Sequence, residues 1–278
     1  MSVTSPVRPV SGTPRPWLRS LVTLVITVVL LSPILVVFWL ALRPPMTWQQ
    51  TGPTLGTFWY VLTQTDVLRW LANSVLVSLV STVAAVAVAA PAGYVLSRGR
   101  GRATSAFSLF IFVLQSLPAV AFIIPLFIMF ANIGLADTLT GVVIVYVASS
   151  IAVGCWMMTA YFDSLPVTLE EAAWIDGASV FGGFVRIILP NSLPGILSTS
   201  LFTFLHSWND YIVASVFLRS DRAFTLPIGL QTFFQQNLTD WGPVMACAVI
   251  MLAPPVILFA VLNRYFSIGG IGGSLAGR

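Results

Sequence analysis

Six long uncharged stretches dominate the chain, separated by short segments that hold almost all of its polar character. They run Leu21 to Leu42, Leu71 to Leu96, Ala106 to Asn132, Leu139 to Tyr161, Gly195 to Leu218 and Val244 to Leu262. The fifth carries His206 and Asp210; the other five carry no charge at all. Each approaches or exceeds the ~20 residues a helix needs to cross a hydrocarbon core about 30 Å thick. The pattern predicts an all-α membrane protein with six spans. The first stretch is longer than the apolar core of a signal peptide and lacks a small-residue cleavage site, so it reads as a retained span. Residues 1–20 are rich in Pro, Ser, Thr and Arg and are expected to be disordered.

Composition supports this class. Of 278 residues, 57% are hydrophobic and 8% charged, against roughly a quarter charged in soluble domains. All thirteen cations are arginines. They are scattered and form no basic stripe, which argues against nucleic acid. Their distribution orients the chain. With the N-terminus inside, the inner segments hold Arg8, Arg15, Arg19, Arg98, Arg100, Arg102, Arg186, Arg264 and Arg278, and the outer loops hold Arg43, Arg69, Arg219 and Arg222. Nine against four places both termini in the cytoplasm by the positive-inside rule. Arg98 to Arg102 is the strongest single contribution. Cys155 and Cys247 lie in apolar segments at different depths, so a disulfide is not expected. One histidine and two cysteines are too few for a metal centre.

Nucleotide and catalytic signatures are missing. Without a lysine there can be no G-x-x-x-x-G-K-[ST] loop, and no GxSxG or HExxH run occurs. Neither an enzyme nor an ATPase is indicated, and no cofactor is expected in this chain.

The inner segment Asp163 to Pro190 differs from the rest and holds four of the nine acids. Thr168 and Glu171 have capping-box spacing, which predicts a helix from Leu169 to Asp176. Gly177 supplies a left-handed C-cap. Ser179 caps a second short helix, which Pro190 is expected to stop. Small residues at Ala172, Ala173 and Ala178 let another surface approach the first helix closely. The competing reading is an interfacial helix, but such helices are usually rich in Lys and Arg, and this one is acidic.

Glu171-Ala-Ala-x-x-x-Gly177, followed by Ile187-x-Leu-Pro190, resembles the EAA loop of ABC importer permeases. Glu170-Glu-Ala-Ala-x-x-Asp-Gly-Ala178 resembles its maltose-type, carbohydrate form. Asn73-Ser74, Trp208-Asn209-Asp210 and the glycine-rich Gly269 to Gly277 resemble further family features. Ala276 stands where that tail ordinarily carries a lysine.

The resemblance implies a type I importer permease fold. Its core would be residues 71–266, with a first span at 21–42, a coupling loop at 163–190 and a cytoplasmic tail at 267–278. It assigns ATPase docking to Glu170, Glu171, Ala172, Ala173, Asp176, Gly177 and Ala178, with Ile187, Leu189 and Pro190 setting the return to the next span. Implied partners are a second permease subunit, two ATP-binding subunits carrying ATP and Mg, and an extracytoplasmic solute-binding protein. The implied setting is a bacterial inner membrane, and the implied substrate is sugar-like. Polyamines, amino acids and anions stay open as substrates, and a secondary transporter is the alternative from another class.

For the solute pathway the candidates are Gln115, Asn132, His206, Trp208, Asn209 and Asp210, with Tyr146 and Trp156 as further groups. His206 and Asp210 share a helical face and can pair. Such a pair could line the pathway or hold the fifth span against its neighbours, and the sequence leaves both roles open.

Overall fold

The computed structural model describes residues 16–234 and 239–270, and among these every regular element is helical. Four helices are long and apolar enough to cross a membrane: α1 (Pro16–Ala41), α3 (Val67–Arg98), α6 (Leu139–Asp163) and α13 (Trp241–Gly270). Short α2 (Gly56–Gln64) bridges α1 to α3. Helix α1 begins at Pro16, inside the stretch expected to be unstructured, since a proline lacking an N–H suits the first helical turn. Of the glycine-rich tail, residues 271–278 lie outside the described residues, Ala276 and Arg278 among them.

Two further candidate spans are bent pairs, residues 102–116 with 120–132 and residues 180–191 with 193–208, the latter bent by 73°. The run expected to be continuous from Ala106 to Asn132 is α4 (Arg102–Ser116) and α5 (Ala119–Asn132), which meet at 97°. The break falls at Leu117-Pro118, where Leu117 is extended (φ −78°, ψ 134°), as the residue before a proline prefers. The Leu117 N–H turns back to the Leu114 carbonyl, and the Ser116 hydroxyl donates to Phe112. The expected fifth span, Gly195 to Leu218, is also broken. It forms α10 (Leu193–Trp208), then Asn209 to Tyr211, then α11 (Ile212–Phe217). Asp210 makes this break tenable: its Oδ1 accepts the Val213 and Ala214 N–H groups at 3.0 and 3.2 Å and the Tyr146 hydroxyl at 2.8 Å. No hydrogen bond or ion pair joins His206 to Asp210, because the carboxylate is already engaged by α6 and by its own turn.

The centre of the bundle is α3, packed parallel to α6, with α10 antiparallel to both. Small residues permit the close approach. A Cβ on Gly93 would lie 2.7 Å from Met158 Cβ and 3.0 Å from the Cys155 carbonyl, and one on Gly154 would lie 3.0 Å from Ala89 Cβ. Membrane helices pack through such surfaces because lipid supplies no hydrophobic drive between them. Cys155 and Cys247 are both buried and free. By contrast α1 packs chiefly on α13 and otherwise exposes apolar side chains, as a lipid-facing helix does.

At one end of the bundle, the N-terminus of α3 secures the segment leading into α12 (Leu226–Gln231). Trp70 Nε1 donates to the Asp221 carbonyl, Asn73 Nδ2 to those of Arg222 and Phe224, and Ser74 Oγ accepts the Leu226 N–H. Nearby, Asp137 sits in the left-handed region (φ 55°) and accepts the N–H groups of Arg219 and Ser220. Burial alone would push its carboxyl up, but those two donors and the Arg219 charge hold it below the ordinary 3.8.

Three outcomes follow from this packing. Gly93→Leu should destabilise the bundle by about 1–3 kcal/mol through overpacking, read as a lower melting temperature in detergent; an unchanged melt would contradict the close contact. Asp210→Ala should cost about 1–3 kcal/mol by stranding its donors, and Asp210→Asn, which keeps an acceptor, should cost less in the same assay. The Asp137 clamp, with a depressed carboxyl, is fully present above the unfolded value and lost as pH falls through the lower folded one. Protection of the Arg219 and Ser220 amides relative to their intrinsic exchange rates should therefore be lost only as pH falls below 3.8.

Candidate functional site

The C-terminal ends of α3 and α6 meet the segment 163–190, which folds as an elbow. Its first arm is α7 (Thr168–Ile175). The chain enters one residue earlier than a capping box would allow. Val167 already has helical dihedrals, the Pro166 carbonyl accepts the Leu169 N–H, and Thr168 makes no side-chain cap. Thr168 thus lies within the helix, and the expected Thr168–Glu171 box does not form.

The elbow itself matches expectation. Gly177 has φ +85°. The Gly177 N–H donates to Trp174 and the Ala178 N–H to Ala173, the paired bonds of a Schellman C-cap. Ser179 Oγ then accepts the Gly182 N–H and caps the second arm, which opens as α8 (Val180–Gly183).

Pro190 does not stop that second arm. A π-helical turn, Phe184–Ile188, follows α8, and the Leu189 N–H reaches back five residues to the Phe184 carbonyl. The helix continues as α9 (Leu189–Asn191), and the break before α10 falls at Ser192. The wider turn takes up the register that a proline would otherwise disrupt. Two side chains serve carbonyls left over: Asn191 Nδ2 donates to Ile187 at 2.7 Å and Ser192 Oγ to Ile188 at 2.6 Å.

The faces of α7 are sharply divided. Glu170 is 1% exposed and Ala173 3%, so these two residues, expected on the docking face, point into the chain's own interior. Glu170 Oε1 accepts Arg98 Nε at 2.7 Å and Oε2 accepts the Tyr94 hydroxyl at 2.6 Å. Arg98 also donates to the Leu165 carbonyl, and Ser97 donates to Asp163. Beneath them Phe184 and Ile188 insert among Tyr94, Met158 and Phe162, with the Phe184 ring 4.7 Å from that of Tyr94.

Glu171, Ala172, Asp176 and Gly177 face outward; Ala178, Ile187 and Leu189 are half-buried and Pro190 is exposed. Four apolar side chains not singled out from sequence share the outward surface: Trp174, Ile175 (86% exposed), Val180 and Phe181 (75% exposed).

A second feature lies at the α4–α5 bend. Leu117 and Val120, on either side of the α4–α5 bend, line a cleft of about 500 Å³ shared with Gln115, Tyr146, His206 and Asp210. Three candidate pathway residues are therefore brought together, and His206 is exposed there. The others are not. Trp208 is 1% exposed and stacks on Phe204 at 5.6 Å within the core. Asn209 turns back to bond the Leu205 carbonyl, and Asn132 ends α5 away from the cleft. Trp156 packs against Phe112 from α4.

Comparison with known proteins agrees with this architecture. The profile of the binding-protein-dependent transport system inner membrane component family matches residues 89–267. A putative ABC transporter permease of Streptomyces antibioticus is 34% identical over 80% of this chain and 97% of its own. A trehalose/maltose transport system permease protein of Thermococcus litoralis is 32% identical over 75% of this chain and 76% of its own. Among solved structures, a bacterial ABC transporter involved in import of the acidic polysaccharide alginate superposes with a TM-score of 0.76 at 22% identity, covering 90% of this chain and 95% of that one. Four to six candidate crossings around an α3–α6–α10 core, the elbow and these matches place the chain in the binding-protein-dependent inner membrane component family, as a permease of ABC importers.

Proposed function

We propose that this chain is one of two permease subunits of an importer for a carbohydrate or related polar solute, driven by separate ATP-binding subunits. The observation that carries the reading is the elbow. Helix α7 is held rigidly on one face and presents Ala172, Ile175 and Asp176 on the other, with Phe181 beside them. An exposed apolar tip on a fixed helix is the kind of anchor that fills a pocket on a partner. The elbow lies at the same end of the bundle as Arg98, Arg100 and Arg102, the end the arginine asymmetry assigns to the cytoplasm, where an ATPase would reach it. ATP and Mg belong to that partner, and the chain contributes the docking surface.

The docking set is accordingly Glu171, Ala172, Trp174, Ile175, Asp176, Gly177 and Phe181, all on the exposed side of the elbow. For the solute, the names of the trehalose/maltose relative and the alginate neighbour favour sugars. The cleft suits them chemically. Gln115, Tyr146, His206 and Asp210 offer donors and acceptors for hydroxyls inside an otherwise apolar wall. A single chain would supply half of the route, with a second permease opposite it and a solute-binding protein at the outer face.

The test is purification with the products of neighbouring genes, followed by reconstitution in liposomes with maltose, trehalose and an alginate oligosaccharide as solutes. Ala172→Arg and Ile175→Asp should each weaken ATPase co-purification by about 2 kcal/mol or more, the scale of an interface anchor. Gly177→Val should do likewise by disfavouring the left-handed elbow. All three chains should still insert. Undiminished ATPase binding and transport in all three would exclude the elbow as the docking element. Uptake of any of these sugars by the chain alone would point instead to a secondary carrier.

A further inference from the structure

The buried side of α7 is more specific than a docking helix requires. Apolar contact through Ala173 would suffice to seat it, yet a carboxyl group is placed there at 1% exposure. Burying a charge is costly unless it is paired and fully hydrogen-bonded. Here both oxygens are used. Oε1 takes Arg98 Nε at 2.7 Å, an ion pair, and Oε2 takes the Tyr94 hydroxyl at 2.6 Å. Tyr94 and Arg98 are one helical turn apart on α3. A carboxylate held at two points on the same helix can neither slide along it nor rotate against it. Arg98 is itself fixed, through Leu165 and Ser97.

What α3 carries at its other end gives this joint a purpose. The helix has 32 residues, or about 48 Å at 1.5 Å per residue, so it reaches from one face of the bilayer to the other. At its outer end Trp70, Asn73 and Ser74 bond backbone groups of residues 221, 222, 224 and 226 at 2.7–3.2 Å. One continuous helix therefore has a polar clamp to α7 at its inner end and a polar clamp to an outer loop at its outer end.

We infer that Glu170 is a positioning residue: it locks α7 to α3 through Arg98 and Tyr94, so that movement of α7 by its ATPase is delivered along α3 to the outer loop 221–226. The inference rests on the docking reading above, but it concerns the face of α7 that the ATPase does not touch.

Two measurements test it on the full chain. In the first, the chain alone is placed in lipid nanodiscs and amide exchange of residues 168–178 is followed. Glu170→Gln, which conserves size, should accelerate exchange there about tenfold or more. In the second, the complete importer is compared with and without Mg and a non-hydrolysable ATP analogue, reading exchange of residues 221–226. The unmodified complex should respond. Glu170→Gln should retain its ATPase but lose about tenfold of that response.

Should the single variant fail to insert, Arg98→Gln with Glu170→Gln removes both charges and leaves none stranded. It should show the same loss. Wild-type exchange rates in α7, a wild-type response at the outer loop, or loss of the ATPase although its exposed docking face is untouched would each overturn the inference. An ATPase that never binds the unmodified chain would overturn the docking reading instead.

Discussion

Hydrocarbon offers a peptide group no hydrogen-bond partner, so each place where this chain leaves a helix within the bundle needs a replacement for water. The replacements are local side chains. Asp210 takes up the first amides of α11, Ser116 and the Leu117 amide close the end of α4, and Asn191 and Ser192 bond the Ile187 and Ile188 carbonyls of the π-helical turn just before α10. This requirement explains why polar residues sit inside apolar runs. They stand at the breaks, and the breaks in turn shape the two regions of interest. The bend at Pro118 opens the cleft shared with Tyr146 and Asp210, and the break at Ser192 turns the elbow's second arm into the next span.

Around these breaks the structure is organised by one close pairing. Gly93 and Gly154 bring α3 and α6 into near backbone contact, and α10 crosses both. The cluster of Tyr94, Phe162, Phe184 and Ile188 extends that pairing into the elbow. The elbow is therefore part of the bundle's packing, although it lies outside the spans. Helix α1, with its apolar surface turned to lipid, stands apart from this arrangement and joins it through α13.

Much of this was legible in the sequence, and the limits have physical causes. Uncharged length alone located the four unbroken spans, and the left-handed glycine and the Ser179 cap follow from local chemistry. Breaks at Leu117 and Asn209 were missed because hydropathy does not register a proline or a capping aspartate inside an apolar run. The Thr168 cap failed because Pro166 had already started the turn. The inward face of α7 could not be found locally at all. It is set by Arg98 and Tyr94, more than 70 positions earlier in the chain, and an eight-residue helix with acids and alanines on every side gives no internal sign of which face is buried. Trp208 was placed among the pathway candidates through the family resemblance of Trp208-Asn209-Asp210, whereas its ring is core.

Nothing lies within 4 Å of the position a Cβ would occupy on Gly177, although its φ is +85°. The site has room for a side chain and objects only to its handedness, since an L-residue collides with its own backbone there. What glycine supplies at the elbow is thus the absence of chirality. A D-alanine would satisfy the same dihedral angles and fill the same empty space, and by removing conformations open only to glycine it would hold the turn more firmly than the natural residue does.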